Sequence, residues 1–467
     1  MRDLRSVAQR AFTRAAGAPL IEGNAVRLLL DAAENYPAWL AAIHEAKGVI
    51  FFENYIIRDD ATGAMFRDAL AERARAGVKV RVMQDWLGSI STPNKFWQPL
   101  VSAGGIVRTH NPARWDSPLA WMSRDHRKSL VVDGRVGFVS GLCVSDTWKG
   151  DPDRSIGPWR DTGVELRGPV CADLVRAFAQ VWDENGRPLS ADLLELPEVY
   201  PVGETAVRVL ATAPNLAGVY RLDLLIAAMA VRRLWLTDAY FAGVPAYVQA
   251  LRSAAQDGVD VRLLVPGGSD LPWLRPLSTA GYRPLLDAGV RVFEWNGSML
   301  HAKTAVADGR WARVGSTNLN IASWINNWEL DVAIEDEPFA AQMEAAYERD
   351  LQRATEVVLR KHKRIRLPRP DEAPRSRPGG GSVGRAAAGA IRLGRTVGAA
   401  VLNHRILGAA EAKPLALSAL VPLALGVLAF AFPTAFAWPL ALLLCWCGLT
   451  LLLRAWRLRH AGRSKGK

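Results

Sequence analysis

The sequence predicts an α/β fold built from two copies of one domain and followed by an apolar helical hairpin. Three observations carry this. First, strand-like runs alternate with amphipathic helical stretches over residues 21–355. Second, the pattern returns: ENYIIRDD from Glu53 resembles DAYFAGVP from Asp238, and AGVKVRVM from Ala76 resembles DGVDVRLL from Asp257. AGGIVRTHN from Ala103 likewise resembles DAGVRVFEWN from Asp287. The spacing is roughly 180 residues, the size of a duplicated domain and far above a solenoid period. Third, no residue from Pro414 to Leu453 is charged.

Residues 1–20 form a basic N-terminal helix with Arg2, Arg5, Arg10 and Arg14 and no apolar run, so they do not read as a signal peptide. Leu4, Ala8, Ala11 and Phe12 share one face, which packs on the domain or lies on a membrane surface. The first domain spans 21–200. In it AKGVIFFENYII reads as a buried strand, TGAMFRDALAERARAG as an amphipathic helix ending at Gly77, and VKVRVM as the next strand. The second copy spans 201–355. Residues 356–413 are a basic linker, expected to be mobile around Pro368 to Gly381.

The stretch 414–453 is broken at its centre by Pro433-Thr434, and each half is near the roughly 20 residues that span a bilayer. It reads as a two-helix transmembrane hairpin. The tail 454–467 is basic, with Arg454, Arg457, Arg459, Arg463, Lys465 and Lys467. Basic flanks on both sides place both ends, and the catalytic region, in the cytoplasm.

Half of the 467 residues are hydrophobic, enough for a large core, and the net charge is +12. Such a chain favours an anionic partner, either nucleic acid or an acidic membrane surface. Cys143, Cys171, Cys445 and Cys447 are too irregular for a zinc pattern and read as unpaired thiols in a reducing compartment.

The chemistry lies in a repeated motif. DHRKSLVVDGRVGFVSG carries His126, Lys128 and Asp133; LHAKTAVADGRWARVGS carries His301, Lys303 and Asp308. Both fit His-x-Lys-x4-Asp followed by Gly. Within a strand, residues two apart share a face, so each His is expected beside its Lys. One imidazole can attack phosphorus, and a protonated second can donate to the leaving alcohol. Lysine offsets charge developing on the non-bridging oxygens. No metal or other cofactor is required. Two matches at equivalent places in a duplicated domain make coincidence a poor explanation. Asp133 and Asp308 sit at Asp-Gly turns, where Asp stabilises the turn by itself, so a turn role stands beside a supporting one. Trp86, Phe96, Trp97, Trp115 and Trp121 either shape an entrance for acyl chains or belong to the core.

These motifs resemble the HKD motifs of the phospholipase D superfamily, the second through Gly315, Ser316 and Asn318. ENYPAWLAAIHEAKGVIFFENYIIRDD, GPWRDTGVELRGPV and NNWELDVAI are similar to bacterial cardiolipin synthases, and the resemblance covers roughly residues 15–355. It implies two phospholipase D-like α-β-α sandwich domains related by a pseudo-two-fold axis, sharing one site. It also implies a ping-pong reaction through a phosphatidyl-histidine. Asp161 and Glu329 match the places where an acidic residue holds a catalytic His. Ser316 and Asn318 support the site in the family pattern. Cys143 stands where the second copy has Asn318, and a thiol cannot replace an amide's donor and acceptor.

The expected function is phosphatidyl transfer between two phosphatidylglycerol molecules, giving cardiolipin and glycerol, at the inner membrane of a bacterium. Phospholipid substrates and an anionic membrane are the expected partners, and nucleic acid is not. Phospholipid hydrolysis or headgroup exchange, nucleic-acid cleavage and a decayed lipid-binding protein are the alternatives.

Overall fold

The computed structural model describes residues 2–113, 123–195, 199–271 and 275–359, and scattered residues between 423 and 449. The first copy holds β1 (Ile21–Leu30), β2 (Val49–Asn54), β3 (Lys79–Asp85), β4 (Ile106–His110), β5 (Lys128–Val132), β6 (Val136–Ser140) and β7 (Thr162–Arg167). The second holds β8 (Thr205–Thr212), β9 (Arg233–Thr237), β10 (Asp260–Pro266), β11 (Arg291–Trp295), β12 (Thr304–Ala307), β13 (Trp311–Gly315) and β14 (Glu329–Glu335). A last strand, β15 (Ala354–Val357), pairs antiparallel with β11.

All fifteen strands form one sheet. Outward from the seam between β1 and β8, the first copy runs β1-β7-β6-β5-β2-β3-β4 and the second runs β8-β14-β13-β12-β9-β10-β11. The two orders are the same, which is the duplication seen in three dimensions. β1 meets β8 antiparallel, Ile21 against Val207 and Asn24 against Thr205. One core crosses the seam: Val139, Val164 and Phe178 from the first copy belong with Val207, Val314 and Val332 from the second. The two copies are therefore halves of one compact unit.

The N-terminal helix, Arg2–Ala16, packs on the second copy although the first follows it in sequence. Ala16 is buried with Leu222 and Ile226, and Phe12 packs against the same cluster. Arg208 explains the choice. Its guanidinium is buried on β8 and needs acceptors, which the helix and its exit supply: Thr13 Oγ1 at 3.0 Å, Gln9 Oε1 at 3.1 Å and the Ala18 carbonyl.

The register corrects the alignment of the repeats. Asn54 lies opposite Lys128, while Thr237 lies opposite Thr304, which places Asp238 beside Lys303. Asp238 therefore corresponds to Asn54, one residue on from the Glu53 suggested by ENY and DAY. Hydrogen bonding to the strand start fixes this, and matching letters do not.

The two motif aspartates do that fixing. Asp133 accepts the backbone N–H groups of Lys47, Gly48 and Val49 at 2.7–2.8 Å. Asp308 accepts those of Val231, Arg232 and Arg233 at 2.7–3.0 Å. Both occupy left-handed turns, with φ of 53° and 51°. Each stands beyond the far end of its motif strand from the His. At about 3.3 Å per residue that is more than about 15 Å away, so these carboxylates do not reach the chemistry. Asp308→Ala is expected to destabilise the protein by about 1–3 kcal/mol through three lost charge-assisted bonds. Turnover per folded molecule should stay within about twofold, read by thermal melts beside activity corrected for folded fraction.

Phe96 and Trp97 are buried in the first copy's core, with Trp97 Nε1 donating to Gln84 Oε1 at 3.1 Å. For them the core reading holds; Trp86 is half-buried, and Trp115 and Trp121 lie outside the described residues.

Residues 111–123 and the chain from His404 belong to a separate unit. Among its described helical residues are exposed apolar side chains, Phe430 by 91% and Trp438 by 69%. Among the described residues no helix is long and apolar enough to cross a membrane. The basic linker, the tail and much of the expected hairpin lie outside them.

Candidate active site

Each motif enters the site in extended backbone just before its strand, which starts at Lys128 in the first copy and Thr304 in the second. The histidines are therefore ahead of the strands expected to carry them. What aligns them is a backbone zipper to the opposite copy. His126 N donates to the Trp328 carbonyl at 2.9 Å, and Trp328 N donates back to Arg124 at 2.8 Å. His301 N donates to the Arg160 carbonyl at 2.7 Å, and Arg160 N donates to Met299 at 2.8 Å. The residue after each zipper partner is an acid, so the zipper delivers a carboxylate to the imidazole.

The acids are exchanged between copies. Glu329 of the second copy lies 2.9 Å from His126 Nδ1, and Asp161 of the first lies 2.7 Å from His301 Nδ1. Both carboxylates are fully buried. Burial alone raises their pKa, but the partner imidazole and the nearby lysine outweigh it, lowering Glu329 and holding Asp161 at about 2. An ionised carboxylate only accepts, so Nδ1 must carry the proton in each ring. Nε2 is then the free lone pair of a neutral imidazole. Burial lowers the pKa of both rings, and at His301 the Lys303 charge adds to it and brings it to about 3.

The lysines are bent back onto their own motifs. Lys128 Nζ donates to the His126 carbonyl and Lys303 Nζ to that of His301. Lys303 Nζ also stands 2.9 Å from His301 Nδ1. Burial, then repulsion from Lys128, lowers Lys303 to about 8. Lys128 also acts electrostatically on His301, and Lys303 on His126.

Supporting residues differ between the halves. Ser316 Oγ donates to Glu329 at 2.5 Å and accepts Leu330 N at 2.9 Å. Asn318 is buried, and its Oδ1 has no partner among the described residues. Trp148 Nε1 donates to Asp161 at 3.0 Å. Cys143 is buried, its thiol pushed up by burial, which leaves it a poor nucleophile.

Four aromatic residues escaped the sequence reading. Tyr55 stands edge-on to His126 at 4.9 Å and Tyr240 to His301 at 5.8 Å, each ring also facing its motif lysine. Trp148 and Trp159 stand 5.2 and 5.5 Å from His301. The shared Tyr of ENY and DAY was a signal for the first pair; the tryptophans left none. A cavity of about 440 Å³ lies elsewhere, at the turn end beside Lys47, Lys79 and Asp133. Its Lys79 is paired with Asp192 at 2.7 Å.

Two imidazoles, each oriented by a carboxylate and each beside its motif lysine, are groups suited to transfer at a phosphodiester. Residues 225–351 match the family model described as cardiolipin synthase, PLD-like domain. Cardiolipin synthase A of Pseudomonas putida is 33% identical over 356 residues, covering 75% of this chain and 73% of that one. Cardiolipin synthase A of Pseudomonas aeruginosa is 34% identical over 364 residues, covering 76% and 73%. Among solved structures, phosphatidylserine synthase of Haemophilus influenzae superposes with a TM-score of 0.60 at 16% identity, over 75% of this chain and 92% of that one. Polyphosphate kinase of Porphyromonas gingivalis gives 0.51 at 14% identity, over 73% and 51%. These two share the fold. The chain belongs to the cardiolipin synthase family of the phospholipase D superfamily, a family of phosphatidyltransferases.

Proposed function

We propose that the protein transfers a phosphatidyl group from one phosphatidylglycerol to another, giving cardiolipin and glycerol. The observation that carries this is the crossed pairing of each motif His with the other copy's acid. The second ring first takes up a proton from solvent, held as imidazolium by its carboxylate; the other imidazole Nε2 then attacks phosphorus, the bond to the leaving glycerol oxygen breaks, and the protonated ring supplies that oxygen's proton. A hydroxyl of the second phosphatidylglycerol then gives its proton to the now neutral ring and attacks phosphorus, and the phosphorus–histidine bond breaks. His126, Lys128, His301 and Lys303 carry these steps; Asp161 and Glu329 keep the rings in the reactive tautomer, and Ser316 holds Glu329. Asn318 lines the phosphate site. The test is purified protein with headgroup-labelled phosphatidylglycerol and a chelator. Cardiolipin and free glycerol support the reading. Phosphatidic acid as sole lipid product means water is the acceptor, and activity restored only by a divalent ion means the chemistry is wrong.

We also propose that residues 414–453 anchor the enzyme in a bacterial inner membrane, with the catalytic unit in the cytoplasm. The exposed apolar helical residues there, Phe430 and Trp438 among them, support this. The linker's Arg360, Lys361, Lys363, Arg364 and Arg366 then meet acidic headgroups, each contributing on the order of 1 kcal/mol. Ending the chain after Leu359 should move the protein from the membrane to the soluble fraction. Activity on dispersed short-chain lipid should persist while activity on bilayers falls at least tenfold. A truncated protein that stays membrane-bound, or is inert on dispersed lipid, contradicts a simple anchor.

A further inference from the structure

The two halves of the site also differ in what holds the zipper. In the first copy's segment the zipper residue is Arg160; in the second it is Trp328, which has no charge to place. Arg160 is buried, and Nε donates to Asp350 Oδ1 and Oδ2 at 2.9 and 3.0 Å. Nη1 donates to Asp31 Oδ1 at 3.2 Å, to Thr162 Oγ1 at 3.0 Å and to the Asp161 carbonyl. Asp31 also accepts Asp161 N at 2.8 Å, and its own N–H donates to the Asp161 carbonyl at 3.0 Å. It does so from a left-handed φ of 55°, a conformation that side chains other than glycine seldom adopt.

Three distant segments thus converge on one guanidinium. Asp31 follows β1 and opens the helix Asp31–Glu45, Arg160 precedes the acid of the first copy, and Asp350 sits in the last helix of the second copy, Glu337–Leu351. The backbone they fix carries both parts of one catalytic pair: Asp161 as the next residue, and His301 through its bond to the Arg160 carbonyl. Two carboxylates, Asp350 buried and Asp31 partly exposed, flank the one buried guanidinium. A core needing only packing would not choose this, because apolar side chains of the same volume serve at least as well. A planar fork with several fixed donors sets direction, which lysine or an apolar residue does not.

We propose that the Asp31–Arg160–Asp350 network is a positioning device for the His301–Asp161 pair, holding the imidazole to the line of attack or protonation. The proposal rests on that pair belonging to the reacting site. On the other side the Glu329 carbonyl accepts Arg127 Nε at 3.2 Å, and that guanidinium lies 5.2 Å from the Trp328 ring, so the network acts on the His301–Asp161 side.

The experiment uses the full chain with Asp350→Asn and Arg160→Lys, each alone and combined with Asp161→Asn, and phosphatidylglycerol in mixed micelles. Glu344→Gln is the control: it lies on the same helix and pairs with Arg233 at 3.0 Å, away from the site. Asp350→Asn, the milder change, and Arg160→Lys should lower kcat about ten- to a hundredfold with KM within about twofold, as expected for small misplacement of a reacting group. Glu344→Gln should leave both unchanged. In the Asp161→Asn background, Asp350→Asn should add less than about twofold, because a device that acts through Asp161 has nothing left to position. Additive losses, a kcat within twofold of the parent for both variants, or a loss matched by Glu344→Gln and by the folded fraction in melts would overturn the proposal. If Asp161→Asn itself keeps full activity, the reading of the site fails along with it, and the single variants show which failed first.

Discussion

Alanine or asparagine at His126 or at His301 is expected to lower turnover by at least about a thousandfold, and the double substitution should cost little more than either alone. One displacement needs both rings: one makes the bond to phosphorus and the other serves the leaving oxygen. General acid–base assistance contributes about 10²–10⁴-fold, and loss of a nucleophile removes the covalent route altogether. Residues that act as a unit give losses that do not add. The asparagine variants separate chemistry from folding. Alanine leaves Glu329 or Asp161 as a buried carboxylate without its ring partner, at a cost of about 1–3 kcal/mol, whereas the asparagine amide can still donate toward it. Steady-state turnover of phosphatidylglycerol, with thermal melts, measures both. Near-normal activity in either single asparagine variant would show that the two motifs do not share a site.

The second large effect is expected at the exchanged acids. Glu329→Gln and Asp161→Asn should each lower kcat about 10²–10⁴-fold, because an amide no longer demands the Nδ1 proton and the reactive tautomer is lost. The sign of the pH response follows from the pairing. Glu329 raises the pKa of His126 and Asp161 raises that of His301, each against burial. Removing the carboxylate lets that pKa fall. The limb of the kcat profile that reports loss of imidazolium with rising pH should then move to lower pH in the variant whose partner ring is the acid, and the limb that reports protonation of the attacking ring should move to lower pH in the other. Profiles over the range in which each variant stays folded check this. An unshifted limb with full activity would mean that the acids only brace the backbone.

Much of this site was legible in the chain. His126, Lys128, His301 and Lys303 stood out because the same short spacing occurs twice, and Asp161 and Glu329 came from the resemblance of WRDT and NWEL to one family. Asp133 and Asp308 were visible as Asp-Gly turns, and the structure gives them only that role. The reading went astray where a repeat was aligned by letters: Glu53 was set against Asp238, whereas the strand start places Asn54 there. Tyr55 and Tyr240 were passed over although ENY and DAY share that tyrosine, and Trp148 and Trp159 because aromatic residues in a half-hydrophobic chain carry no local mark of facing an imidazole.

The sequence by itself determined the duplicated α/β architecture, the paired motifs and the turns, because hydrophobic period, turn chemistry and motif spacing are local properties that reside in a few adjacent residues. Only the tertiary structure decided which acid serves which histidine. Glu329 reaches His126 across 203 positions and Asp161 reaches His301 across 140, and no periodicity spans such distances. The same holds for the N-terminal helix, which passes over its neighbour in sequence to satisfy the buried Arg208, and for Arg160, whose two carboxylates come from opposite ends of the catalytic unit. In each case a buried polar group had to find partners, and the continuous sheet, which joins the two copies at β1 and β8, brought those partners within hydrogen-bond reach.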